Sequence, residues 1–244
     1  MKASVRFVLA LGLVVATACG DDDGGGESHE VLVSGATSLT NAFAEMEMAF
    51  EDANPDIDLV FTFDSSSTLA GQVAEDAPVD VLATADENTM ATAIDSGEVS
   101  GDPAVFTTNR GVIAVPVDTD TVSTSEDLEG DILLAVCAPE VPCRVVADQI
   151  FVDLGIEPEI DSEEENVGAV LTKLEAGEVD AGVVYATDDL ASDAIEAIEI
   201  GDVVVTTAYP IVAVTDDEAA QAFVDFVTGP EGQAILTDGG FMAP

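Results

Sequence analysis

Twice in the first third of this chain a strand-like apolar run ends in hydroxyl residues that open a helical pattern. The first is Val31-Leu32-Val33-Ser34-Gly35-Ala36-Thr37-Ser38-Leu39-Thr40. The second is Leu59-Val60-Phe61-Thr62-Phe63-Asp64-Ser65-Ser66-Ser67-Thr68-Leu69. A helix start leaves backbone N–H groups without intrahelical partners, and a hydroxyl at the cap adds another donor. Two such starts at one sheet edge make a cradle for an oxyanion without any formal positive charge. The plainer reading is that Ser38 and Ser66 are helix caps, worth about 1 kcal/mol each.

Positive charge is scarce here. The 244 residues hold five Lys+Arg against 50 Asp+Glu, a formal net charge of -45. Such a surface repels nucleic acid and anionic headgroups, so neither suits it as a partner. Disorder is the usual companion of high net charge, but 48% of the residues are apolar and fall in periodic runs, which argues for a folded protein.

At the N-terminus, Lys2 and Arg6 precede an apolar run from Phe7 to Ala18, long enough for a signal h-region and too short to span a bilayer. The run closes on Ala16-Thr17-Ala18-Cys19, followed by Gly20-Asp21-Asp22-Asp23-Gly24-Gly25-Gly26. This resembles the lipobox of bacterial lipoproteins, with Ala16 where that motif prefers Leu. The resemblance implies a signal peptide over 1–18, lipid on Cys19, anchorage to the bacterial cell membrane and a flexible acidic tether over 19–28. An ordinary secretory signal that abuts a cysteine is the alternative. The other cysteines, Cys137 and Cys143, flank Ala138-Pro139-Glu140-Val141-Pro142. In an oxidising compartment a disulfide fits them; a zinc pair is the rival, although the only histidine is His29.

Strand-like and helical runs alternate throughout, which is the rhythm of an α/β protein. After the two openings, strands are expected at Val79–Thr84, Ala104–Thr108, Gly111–Pro116, Ile132–Val136 and Ala181–Tyr185. Two more, Val203–Ala208 and Ile211–Val214, are separated by a break at Tyr209-Pro210. Helices are expected at Glu87–Ser96, Arg144–Leu154, Val167–Ala176, Asp217–Thr228 and Glu231–Thr237. The length favours two lobes over one core. We place lobe 1 at 29–109, lobe 2 at 110–209 and a return to lobe 1 at 210–244, with crossings near Thr108–Gly111 and Tyr209–Ile211.

The order of motifs resembles the periplasmic molybdate-binding proteins of ABC importers, within the type II solute-binding fold. It is carried by Ala36-Thr37-Ser38-Leu39-Thr40-Asn41-Ala42-Phe43, Ser65-Ser66-Ser67-Thr68-Leu69-Ala70 and Ala77-Pro78-Val79-Asp80-Val81. Further along come Ala138-Pro139-Glu140-Val141-Pro142, Glu165-Asn166-Val167 and Ala181-Gly182-Val183-Val184-Tyr185-Ala186-Thr187-Asp188. Tyr209-Pro210 and Gly239-Gly240-Phe241 complete the series. The resemblance implies a two-lobed α/β fold, no cofactor, and molybdate or tungstate captured in the interlobe cleft by a monomer that presents it to the importer's membrane subunits. It also implies five contacts: the hydroxyl and N–H of Ser38 and Ser66, backbone donors near Cys143 and at Val167, and the phenol of Tyr185. Ser38, Ser66 and Tyr185 would touch oxygens of the anion and not the metal itself. The chain departs from the family pattern at Cys143-Arg144, where a small residue and Gly are common, and at Asn166-Val167-Gly168, where Asn-Val-Arg is common.

Other readings stay on the page. Tyr185, at the end of an apolar strand, equally suits a core position. Asp64 would oppose an anion if it faced one, and strand alternation points it away from the Ser65 side. Arg144 either neutralises the anion from behind or pairs with nearby acids. Binding of another tetrahedral oxyanion such as sulfate or phosphate is the nearest functional alternative. A secreted hydrolase is the next, although no G-x-S-x-G turn accompanies His29. A calcium-stabilised adhesion domain lacks the D-x-[DN]-x-[DN]-G loop.

Self-repulsion among 50 acids destabilises the compact state, and salt relieves it as the Debye length shrinks to about 3 Å at 1 M. We therefore hypothesise a saline habitat and predict a thermal unfolding midpoint that rises between low salt and 1 M KCl. Equal midpoints at the two salt concentrations would refute it.

Overall fold

Parallel strands that each run into a helix set the architecture. The computed structural model describes residues 28–244, so the proposed signal peptide, Cys19 and nearly all of the tether lie outside the described residues. The chain runs β1 (His29–Ala36), a 3-10 turn at Thr37–Leu39, α1 (Thr40–Ala53), β2 (Ile57–Asp64), α2 (Ser66–Ala74), β3 (Val81–Ala83) and α3 (Glu87–Asp95). It continues through β4 (Ala104–Pro116), β5 (Leu134–Cys137), α4 (Pro142–Leu154), β6 (Ser162–Glu164), α5 (Val167–Glu175) and β7 (Ala181–Tyr185). It ends with α6 (Ala186–Ala191), β8 (Ile195–Ala197), β9 (Thr206–Ala213), α7 (Glu218–Thr228) and α8 (Pro230–Asp238).

The strands form one curled sheet in the order β2-β1-β3-β9-β4-β7-β5-β6, with β8 also on β4. β1 pairs in parallel with β2 and β3, and β5 in parallel with β6 and β7. The long antiparallel strand β4 ties the two groups together. Its residues 104–110 pair with β9 and its residues 111–116 with β7 and β8.

Each group carries its own core. Eight phenylalanines fill the first, among them Phe43, whose ring centre lies 5.8 Å from those of both Phe61 and Phe223. A smaller cluster around Leu69, Leu82 and Met90 packs under α2 and α3. The second group is aliphatic, built on Ile113, Leu134, Val146, Ile150 and Val170. Val205 packs with the second group, Tyr209 with the first.

Several boundaries differ from the sequence reading. The two strands expected at Ala104–Thr108 and Gly111–Pro116 are one, because Asn109 and Arg110 continue the ladder against Thr207 and Thr206. Tyr209-Pro210 does not break a strand but lies inside β9. The missing Pro210 N–H is tolerated because the register shifts between Val105 and Thr107 opposite it, a bulge of the kind that accepts proline. The short elements β6, α6 and β8 were not expected. Cys137 and Cys143 are joined, with Cα atoms 5.8 Å apart, so the end of β5 is stapled to the first turn of α4. Among the described residues no cluster of His, Cys, Asp and Glu suits a metal ion, so the zinc alternative has no structural counterpart there. Also among the described residues, no helix is long and apolar enough to cross a membrane.

Gly111 fixes how closely α4 approaches β4. A Cβ there would lie 2.2 Å from Val146 Cγ1 and 3.0 Å from Ile150 Cδ1. Gly111→Ala is therefore predicted to lower stability by about 1–3 kcal/mol, the usual cost of an added methyl group in a packed core. Urea unfolding of the two proteins checks this.

Candidate functional site

Five strand-to-helix junctions meet at one cavity. It is lined by Ala36, Thr37 and Ser38 after β1; Asp64, Ser65 and Ser66 after β2; and Val141, Pro142 and Cys143 after β5. Asn166 and Val167 follow β6, Tyr185 ends β7, and Ala85 completes the wall. All five residues that the sequence singled out, Ser38, Ser66, Cys143, Val167 and Tyr185, are brought together here. Even counting its open mouth, the cavity holds about 220 Å³. That is below the range of about 300–1,000 Å³ for pockets that hold organic ligands, and suits a compact ion.

Local sequence explains each junction. Ser65 caps α2, its Oγ accepting Thr68 N–H at 3.2 Å. Asn166 caps α5 in the same way, accepting Ala169 N–H at 3.0 Å. Pro142 opens α4 at a position where a missing N–H costs nothing. Each cap satisfies the third N–H of its helix. The N–H groups of Ser66, Cys143 and Val167, in the first two positions, have no carbonyl one turn back to bond.

The side chains are arranged as donors. Ser66 is buried, and its Oγ accepts Ala85 N–H at 2.8 Å, which leaves its own proton free. Ser38 Oγ lies 2.9 Å from the Tyr209 phenol oxygen. Tyr209 is fully buried against Phe106, Phe241 and Tyr185. Tyr185 Oη and Thr37 Oγ1 are buried and bonded to nothing in the protein. Burial, with Tyr209 and Asp188 nearby, holds the Tyr185 phenol well above its ordinary pKa, and burial raises Tyr209 too, so both keep their protons.

No lysine or arginine lines the cavity. Arg144, one residue beyond Cys143, bonds Asp148 at 2.7 Å, Glu163 at 2.8 Å and the Cys137 carbonyl at 3.3 Å, so it pairs with local acceptors. Two acids come close. Asp64 lines the wall, and its Oδ1 accepts Ser65 N–H at 2.6 Å, so at this strand end the local bond overrides the alternation that would point it away from Ser65. Asp188 accepts Tyr185 N–H at 2.9 Å, and burial, with Glu175 adding, raises its pKa to about 7 against that bond. His29, at the start of β1, bonds Asp217 at 2.6 Å and takes no part in the wall.

Sequence reasoning missed Thr37 and Tyr209 as members of the site. Thr37 had a signal, a second hydroxyl in the same helix opening as Ser38. Tyr209 had only its place in the Tyr209-Pro210 motif, because its link to Ser38 spans 171 residues and exists only in three dimensions.

The profile of the bacterial extracellular solute-binding protein family matches residues 31–242. The molybdate-binding protein ModA of Mycobacterium tuberculosis (strain ATCC 25618 / H37Rv) is 33% identical over 254 aligned residues, 98% of this chain and 96% of that protein. Two solved structures share the fold. The periplasmic molybdate-binding protein of Azotobacter vinelandii superposes with a TM-score of 0.74 at 18% identity, over 88% of this chain and 99% of that one. The sulfate-binding protein SubI of Mycobacterium tuberculosis H37Rv does so with a TM-score of 0.72 at 14% identity, over 88% and 87%. This chain belongs to the bacterial extracellular solute-binding protein family, and is an extracytoplasmic binding protein rather than an enzyme.

Proposed function

We propose that this protein captures molybdate, and tungstate with it, for an ABC importer. One observation carries the reading: the cavity presents Tyr185 Oη and Thr37 Oγ1 without protein partners beside free helix-start N–H groups, and contains no cation. A fully deprotonated tetrahedral dianion offers only acceptors, so a wall of hydroxyl, phenol and amide donors matches it. Ser38, Ser66 and Tyr185 would donate from side chains, and Ser66, Cys143 and Val167 from the backbone. Tyr209, donating to Ser38 Oγ, would leave the Ser38 proton for the ligand. Tungstate is nearly the size of molybdate, and this wall has no means to tell them apart. Sulfate has shorter bonds and leaves some donors stretched.

In the same reading, the groups built on β1 and on β5 are the two lobes, 29–109 with 210–244 and 110–209. The anion is captured on one and locked by the other. The chain works as a monomer held to the membrane by lipid on Cys19, and its closed form is what the importer's membrane subunits recognise. Asp64 supports a second reading. A carboxylate in the wall is an acceptor, which a protonated oxyanion such as hydrogen phosphate requires and molybdate does not.

Calorimetric titration of the protein with molybdate, tungstate, sulfate and phosphate separates these readings. Saturation by molybdate and tungstate alone supports the first, and preference for phosphate the second. Ser66→Ala is predicted to weaken molybdate binding by about 1.5–3 kcal/mol, the range for hydrogen bonds to charged groups. An unchanged dissociation constant would remove Ser66 from the site. Because Ser66 Oγ also satisfies Ala85 N–H, the stability of the ligand-free variant is measured alongside.

pH provides a further check. Asp188 holds its proton up to about pH 7 and gains above it a negative charge that is felt at the Tyr185 phenol. Affinity for a dianion is therefore predicted to fall as pH rises from 6 to 8. Asp188→Asn, which keeps an acceptor for Tyr185 N–H, should flatten that dependence. An equally steep profile in the variant would mean that another group is responsible.

A further inference from the structure

Thr37, in the cavity wall, and Gly168, one residue beyond that wall, face each other, the first from the turn after β1 and the second from the first turn of α5. A Cβ built on Gly168 would lie 2.7 Å from Thr37 Cγ2, closer than packed carbons tolerate, and 3.2 Å from Asn166 Oδ1. Glycine inside a helix costs about 1 kcal/mol relative to alanine, and Gly168 has no left-handed backbone to justify it. The close approach of Thr37 is what the missing side chain permits.

The consequence is for the hydroxyl. Oγ1 and Cγ2 share one carbon, so seating the methyl group against Gly168 also fixes where the oxygen points. That oxygen is buried, belongs to a residue of the cavity wall, and has no partner in the protein. A buried hydroxyl without a bond is costly unless a ligand takes its proton. Thr37 lies in the first group of strands and helices and Gly168 in the second, so this contact exists only when the two are together.

We propose that Thr37 Oγ1 is an additional donor to the bound oxyanion and that Gly168 is its positioning residue, the pair assembling on closure. This rests on the oxyanion reading above and deepens it. It assigns part of the affinity to a contact that the open form cannot make.

The test is a set of molybdate titrations on the wild-type protein, Thr37→Val, Thr37→Ser, Gly168→Ala and the double variant Thr37→Ser/Gly168→Ala, with unfolding midpoints recorded for each. Thr37→Val keeps the shape and removes the hydroxyl, and should weaken binding about tenfold or more. Thr37→Ser keeps the hydroxyl but loses the methyl contact that orients it, and should fall between wild type and Thr37→Val. Gly168→Ala should weaken binding through the clash with Cγ2, and the double variant, which lacks that methyl group, should recover most of the loss. Wild-type affinity in Thr37→Val, or equal losses in Val and Ser, would overturn the donor role. Wild-type affinity in Gly168→Ala, or no recovery in the double variant, would overturn the positioning role. A wild-type protein that binds none of molybdate, tungstate, sulfate and phosphate would instead overturn the oxyanion reading, and this inference with it.

Discussion

A body with 50 acids and five cations must hold its ligand with dipoles, and every other feature of the site follows from that. Each helix start contributes roughly half a positive charge, and each is worth about 0.3–1 kcal/mol to a nearby anion. Single starts are weak. The fold multiplies them by ending β1 and β2 in one parallel group and β5, β6 and β7 in the other, all at the same cavity. Ligands of open α/β sheets sit at the carboxyl ends of strands for this reason. The exposed acids matter less once the ion is inside, since charges beyond about 8–10 Å are screened at moderate salt. They act on approach, where they would oppose the dianion proposed above.

Close acids are a different matter, and both are restrained. Asp64 is bonded to the amide next to it, and Asp188 stays protonated up to about pH 7. The donors are restrained as well. Ser66 is held by Ala85 N–H, and Ser38 by a tyrosine packed among aromatic rings. Donors fixed before the ligand arrives lose little freedom when it binds. The large cores lie within each group of strands and not across the cavity. Contact there includes the ring of Tyr185 against that of Tyr209 and the methyl group of Thr37 against the bare backbone of Gly168.

Much of this was legible in the sequence, wherever the determinant is local. Helices open after β1 and β2 as the hydroxyl runs predict, but the caps are not the serines expected: Ser65 and not Ser66 caps α2, and the Ser38 side chain caps no helix and bonds Tyr209 instead. β7 falls on Ala181–Tyr185 as the apolar run predicts. What was not legible depends on a partner strand. Pro210 reads as a break until the bulge opposite it is seen, and Asn109-Arg110 reads as a loop until β9 is laid alongside. β6 is Ser162-Glu163-Glu164, three polar residues that are strand only because β5 pairs with them. Ser38 could be read from its helix opening. The tyrosine that holds it could not.

The two departures from the family pattern turn out to be structural statements. Cys143, in place of a small residue, is tied to Cys137, and the staple closes the loop that delivers the α4 start to the cavity, so the cross-link and the backbone donor are compatible. Gly168, where the family pattern commonly has an arginine, leaves out a cation in a protein that has almost none. A charge in contact with solvent is worth little, because water and salt screen it. A buried hydroxyl aimed at an ion is worth more, because nothing else in the protein competes for it. Under the proposal above, exchanging a screened cation for room at Thr37 would add a donor to the site without adding charge, leaving selection to cavity size and donor placement.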